Sequence, residues 1–267
     1  MRLLPLLLAT CMFMFGHTTS FAQISSVQNS TPIKYGTGHP LRYRIADFDP
    51  RLNITQQQMI EISKQAAAIW EKDTGQNYFV YDPNAEFSIH LVMDQRQIRS
   101  MKRSENLHQL EQQQQIWLNE NQQLQELKRQ IAISTAHLES LKHEHQIETP
   151  IYQQSLEQHQ RLTQQFDLQT QKSKQLYQQL TQAIEQFNQT FAPQVLHKGQ
   201  FQGKQIFIYE FSSIDDLRLT LAHEFGHALG LKHTQDPQSL MYPRIKVQDA
   251  KDFRLTDTDL ALLGLSH

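Results

Sequence analysis

Apolar residues in the first third of the chain recur with two different periods. Leu41, Tyr43 and Ile45 alternate with Arg42 and Arg44, the period of two expected of a strand with one buried face. Asp47 to Pro50 supplies a turn. Met59, Ile62, Ala66, Ile69 and Trp70 then follow at helical spacing until Gly75, behind a Thr55 that stands three residues before Gln58, as in a capping box. Tyr78 to Tyr81, and then Phe87, Ile89, Leu91 and Met93, read as two further strands. Together these elements predict the start of an α/β layer.

A long middle stretch has a different character. From about Arg99 to Thr190, Gln, Glu, Lys and Leu dominate, glycine is absent and the single proline is Pro150, a composition that favours long helix. Leu110, Trp117, Leu124, Ile131 and Leu138 recur at heptad spacing, and Tyr177, Leu180, Ile184, Phe187 and Phe191 follow the three-four spacing of a coiled-coil seam. Proline lacks an amide donor and collides with the preceding turn, so the helix is expected to break near Glu148, Thr149 and Pro150. The simplest arrangement is an antiparallel helical hairpin, with arms of about 40 residues reaching roughly 60 Å at 1.5 Å per residue. Regular apolar positions on both sides of the proline argue against disorder in these glutamine-rich stretches.

Mixed structure returns after the hairpin. The β-branched and aromatic run from Ile206 to Phe211 predicts a strand. Ser213 and Asp216 have cap-like spacing, and Asp215 and Asp216 place negative charge where a helix dipole favours it. A helix is therefore expected from about Ile214 to Leu229. Thr256 to Leu265 reads as a closing helix. Without the hairpin and a leader, about 150 residues remain, a usual size for one domain.

The predicted helix at Ile214 carries the chemistry. His223 and His227 are four residues apart, so both imidazoles project from one face and can share a metal ion. Glu224 can reach a water on that metal. Gly230 can take the left-handed conformation that stops a helix, and the turn brings His233 back as a third ligand. Three neutral nitrogen ligands leave one position of a tetrahedral ion open, the mark of a catalytic zinc site. Imidazole suits zinc better than calcium or magnesium, which prefer oxygen. The bound water would ionise near neutral pH, and Glu224 would take its proton and deliver it to a leaving amine. One catalytic Zn2+ is the expected cofactor. His137, His143 and His145 fall on a solvated face near the hairpin bend, and His90 reads as a satisfied strand histidine.

Charge and cysteine usage narrow the partners. The net charge of -2 gives no long-range attraction to phosphate backbones, which argues against nucleic acid. Residues 1–22 combine Arg2, an apolar run from Leu3 to Phe15 and the small-x-small signal Ser20-Phe21-Ala22, as in a cleaved export leader. The expected location is outside the cytoplasm, secreted or periplasmic. No later stretch is long and apolar enough to span a bilayer, so stable membrane insertion is not expected. The only cysteine, Cys11, lies in the leader, so any metal in the exported chain must bind His, Asp or Glu.

The run His223-Glu224-Phe225-Gly226-His227-Ala228-Leu229-Gly230-Leu231-Lys232-His233, followed by Ser239-Leu240-Met241-Tyr242-Pro243, resembles the metzincins and most closely their matrixin branch, of bacterial type. That resemblance implies an α+β fold: a zincin catalytic domain with a twisted mixed β-sheet and an active-site helix, interrupted here by the helical hairpin. It divides the chain into a leader (1–22), two catalytic halves (23–98 and 191–267) and an insertion (99–190). It further implies a zinc endopeptidase acting on protein or peptide substrates, with Met241 as an apolar floor beneath the metal. Leu219, Pro243 and Ile245 would wall the pocket for the side chain after the cut bond. Tyr242 follows the methionine immediately, which does not match the tyrosine ligand of astacin-like members, and no loop matching the family's calcium and structural zinc sites is apparent. A competing expectation is a coiled-coil adaptor with an idle catalytic domain, since the hairpin could also engage a protein partner.

Overall fold

Five strands, β1 (Leu41–Ile45), β2 (Phe79–Tyr81), β3 (Phe87–Leu91), β4 (Gly199–Gln202) and β5 (Gln205–Ile208), form one sheet in the order β2-β1-β3-β5-β4. The computed structural model describes residues 39–244 and 248–265; the leader and Ile245 lie outside them. The β1–β2, β1–β3 and β3–β5 pairs are parallel, and β4 runs antiparallel at the edge beside β5. Alternation sets the buried face: Leu41, Tyr43, Ile45, Ile89, Leu91, Ile206 and Ile208 all enter one core.

Two helices cover that face. In α1 (Gln56–Glu71) the Thr55 side chain accepts from the Gln58 amide while the Gln58 side chain returns a bond to the Thr55 amide, so the expected capping box is formed. Among the described residues the other helices are a short 3-10 helix (Pro50–Leu52), α2 (Gln95–His143), α3 (Pro150–Thr190) and α5 (Asp257–Leu262), with α4 (Ile214–Ala228) lying between α3 and α5 in sequence as the partner of α1. Trp70 of α1 donates its indole N–H to the Ala222 carbonyl of α4 at 2.7 Å. Phe225 of α4 stacks on Phe79 at 4.2 Å between ring centroids and meets Tyr43 at 5.3 Å. The core therefore closes directly behind the helix that bears the histidines.

Contacts divide the chain into two compact units, Met1–Lys102 with Pro193–His267, and Arg103–Ala192. Within the second, Trp117 meets Tyr177 at 5.6 Å, Lys172 pairs with Glu120 at 2.5 Å, and Leu138, Leu141 and Tyr152 form a small core. Early residues of α2 thus meet late residues of α3, an antiparallel pairing.

Three elements differ from the expected pattern. α2 begins at Gln95 rather than near Arg99, because the Asp94 carboxylate accepts from the Arg96 amide at 2.8 Å and caps the helix four residues earlier. Its end lies at His143, with His145 left-handed at φ 53°; Pro150 opens α3 behind a Thr149 cap, the first-turn position where a missing N–H costs nothing. The strand expected over Ile206 to Phe211 stops at Ile208, since the next two amides, of Tyr209 and Glu210, both turn to the Lys198 carbonyl at 2.7 and 3.3 Å.

Candidate metal centre

Sequence and packing hold α4 rigidly. Ser213 accepts from the Asp216 amide at 3.1 Å, and Asp215 and Asp216 lie in the first turn. From Thr220 to Phe225 no side chain reaches solvent, so His223 and Glu224 are fully buried. Gly230 has φ 86°, and the Leu231 amide closes back on the Gly226 carbonyl at 3.0 Å. The reversal brings the His233 Nε2 to 3.2 Å from the Nε2 of His223 and 3.2 Å from that of His227.

The other ring nitrogens explain why those three face inwards. His223 Nδ1–H donates to the Leu240 carbonyl at 2.6 Å, and His227 Nδ1–H donates to the Leu231 carbonyl at 2.9 Å. Carbonyls only accept, so each Nδ1 carries the proton and each Nε2 presents its lone pair. Converging lone pairs repel unless a cation lies among them. Ligands at 2.0–2.1 Å from a tetrahedral zinc would be about 3.3–3.4 Å apart, close to the observed 3.2 Å. The residues present fit the ion.

Burial sets the charges. It pushes His223 well below its ordinary value, with His227 adding to the effect, pushes His227 down to about 4, and also lowers His233. All three are therefore poised as neutral ligands at pH 7. Burial pushes Glu224 up to about 8 against the smaller opposing pull of the Phe201 backbone N–H, and no side chain bonds to either carboxylate oxygen. In metal-free protein the folded state then binds a proton that the unfolded state has released above its ordinary value of 4.5. Stability from this group is present below that value and is lost as pH rises through about 8. The melting temperature of the chelated chain is expected to fall between pH 6.5 and 8, and Glu224→Gln should flatten that limb, as differential scanning calorimetry would reveal. An equal decline in both chains would assign it to another group.

Met241 is fully buried beneath α4, and a Cβ placed on Gly226 would lie 2.3 Å from its Sδ. Its carbonyl accepts from the Thr234 amide at 3.0 Å, tying the turn to the residue after His233. Asp259 of α5, also fully buried, receives the Ser239 hydroxyl at 2.6 Å, the Leu240 amide at 3.1 Å, and the Thr256 hydroxyl at 2.8 Å and amide at 3.0 Å. Because the Leu240 carbonyl in turn holds His223, Asp259 orients a histidine through two bonds. Asp259→Ala should cost on the order of 3 kcal/mol, because several buried donors lose their acceptor, and should weaken metal retention; a thermal melt with metal analysis checks both.

Of the expected pocket residues, Leu219 is fully buried in the core, Pro243 is half-buried and Ile245 lies outside the described residues. His90 lies 2.8 Å from the Ser88 hydroxyl. Sequence reasoning missed Asp259, although Thr256 three residues before it is a capping signal. It also missed Gly199, where an added Cβ would meet Glu224 Oε1 at 2.5 Å and which no local pattern marks.

Three histidines converging beside a buried glutamate, on a helix packed against a mixed sheet, define a candidate metallopeptidase. The family profile described as Matrixin matches residues 34–264, and the chain belongs to that family. Matrixins are zinc metalloendopeptidases, and the mixed α+β architecture fits them. Over short stretches the chain is similar to neutrophil collagenase of Homo sapiens, 44% identical over 55 residues that make up 19% of this chain and 12% of that one. It is likewise similar to matrix metalloproteinase-18 of Xenopus laevis, 49% identical over 49 residues (18% and 10%), and to matrix metalloproteinase-20 of Homo sapiens, 54% identical over 39 residues (15% and 8%). The chain spans about a tenth of the length of the curated relatives it matches.

Proposed function

We propose that the chain is an exported zinc-dependent endopeptidase in which His223, His227 and His233 hold one catalytic ion and Glu224 is the general base. The observation that carries this reading is the convergence of the three histidines, the His233 Nε2 lying 3.2 Å from those of His223 and His227, with two of the rings fixed through Nδ1–H. Zinc bound there supplies a Lewis acid for the scissile carbonyl and brings the ionisation of water close to neutral pH.

The chain's own residues do the rest. The Glu224 carboxylate takes a proton from the attacking water as its oxygen bonds to the carbonyl carbon, and returns that proton to the amine nitrogen as the C–N bond breaks. Its oxygens have no side-chain partner to give up first, and its raised affinity for protons suits both halves of that transfer. Met241 fills the space under the ligand helix and keeps it dry. An extended peptide would lie along the edge strand β4, gaining main-chain hydrogen bonds, with Pro243 beside the pocket beyond the cut and the fully buried Leu219 backing it from the core.

Residues 23–98 and 191–267 are read as two halves of one catalytic domain around an inserted 99–190. The sheet supports this, since β1, β2 and β3 come from one side of the insertion and β4 and β5 from the other. Export rests on the leader at residues 1–22. Among the described residues no helix is long and apolar enough to cross a membrane.

Elemental analysis of the purified chain should find one zinc per chain, and His233→Ala should lose it. A chain that binds no zinc under conditions where it is folded would overturn the proposal.

A further inference from the structure

Close to the metal centre lies a cluster of charges that the mechanism above does not use. Lys198, Glu210 and Asp216 are each less than a tenth exposed. The Lys198 ammonium lies 2.6 and 2.7 Å from the two Asp216 oxygens and 3.3 Å from Glu210 Oε2. Ser100, near the start of α2, donates to Glu210 Oε1 at 2.6 Å, and Gln97 both donates to and accepts from the Phe211 backbone at 3.2 and 2.9 Å. Ser212 adds its amide and hydroxyl to Asp216 at 2.8 and 2.9 Å. Burial alone would lower Lys198, yet the two carboxylates outweigh it and hold the ammonium above its ordinary value.

A buried ion cluster is a poor source of net stability, because desolvation consumes most of the attraction and an apolar replacement is often as stable. What it does supply is a fixed position. The Lys198 carbonyl accepts two amides from the end of β5, so backbone and side chain are both anchored. The next residue is Gly199, whose main chain lies directly against Glu224: an added Cβ would fall 2.5 Å from Oε1 and 2.9 Å from Cγ and Cδ. No side chain holds the Glu224 carboxylate in place; the polar group turned towards it is the backbone N–H of Phe201, two residues further along β4, which favours its ionised form. Contact with that strand is what limits it.

We propose that Lys198 is a positioning residue for Glu224: held between Asp216 on α4 and Glu210 after β5, it fixes the start of β4 so that Gly199 forms the wall on which the Glu224 carboxylate rests. The inference rests on the endopeptidase reading for its kinetic consequence, and on geometry alone for its structural one. A displacement of the base by a fraction of an ångström slows the proton transfer, and a shift at the start of β4 also reaches a peptide lying along that strand.

The test uses the full-length chain labelled with ¹³C at glutamate carboxyls, the Glu224 resonance being assigned by its absence in Glu224→Gln. Lys198→Met is expected to lower kcat on a quenched fluorescent peptide roughly 10- to 100-fold, with a smaller rise in KM because the peptide shares β4. Zinc content should be unchanged, and the Glu224 resonance should move in the direction seen in Gly199→Ala. A folded, zinc-loaded Lys198→Met chain with parental kcat and an unmoved resonance would overturn the proposal, as would equal losses in kcat and in zinc with no movement. Where Lys198→Met does not fold, Lys198→Met/Asp216→Asn, which removes one charge of each sign, carries the same comparison. If the parent cleaves no peptide, the endopeptidase reading fails, while the resonance still decides the positioning role.

Discussion

Glu224→Ala is expected to lower the rate of peptide cleavage by roughly 10²- to 10⁴-fold, the usual loss on removing a general base, while leaving zinc bound. Glu224 is not among the clustered ligands, which are His223, His227 and His233. The carbonyls that orient His223 and His227 belong to Leu240 and Leu231 and are untouched by the change. Affinity for metal and the proton-accepting group are thus carried by different side chains, and the substitution separates them. Removing a fully buried carboxylate that no side chain pairs with should also leave the chain at least as stable. Paired measurements of kcat and zinc stoichiometry check the claim. Joint loss of both would mean that Glu224 supports the site's structure instead of its chemistry.

Gly226→Ala has the second large effect, and its sign runs against helix propensity. In an exposed helix the change would stabilise by about 0.5–1 kcal/mol. Here the new Cβ would fall 2.3 Å from Met241 Sδ and 2.7 Å from Trp70 Cζ2. Trp70 cannot retreat, being fully buried and bonded through its indole N–H to Ala222. Met241 has three rotatable side-chain bonds but is itself fully buried, so its Sδ can yield only by displacing its neighbours beneath the histidines. Overpacking of this kind costs about 1–3 kcal/mol, which exceeds the propensity gain. The expected result is a lower melting temperature together with weaker zinc retention. A Gly226→Ala chain that melts at or above the parent temperature would show that the floor beneath the histidines is softer than its packing implies.

The parts of this protein written in local pattern could be read from the sequence. The Thr55–Gln58 box, the Ser213 cap, the three histidines at fixed spacing and the stopping Gly230 each rest on residues within a turn or two of one another. What could not be read depends on partners far along the chain. β4 has one apolar residue, Phe201, in four, so it shows no alternation, and it becomes a strand only because β5 pairs with it across the tight turn at Gly203, φ 63°. Gly199 matters because of Glu224, Gly226 because of Met241 and Trp70, and Asp259 because of a turn 18 to 20 residues earlier. The early start of α2 was hidden for another reason: the Asp94 cap precedes the shift to glutamine-rich composition and so lies within what reads as the preceding strand region.

The most direct test of the central claim is a profile of new termini released from a proteome-derived peptide mixture by the purified chain, run three times. The first sample is as isolated, the second is stripped of metal by a chelator, and the third is stripped and then given one equivalent of zinc. Internal cleavages in the first, their absence in the second and the same cleavage pattern restored in the third are the predicted result. Cleavage that persists after the metal is removed, or a folded zinc-loaded chain that releases no new termini, would contradict it.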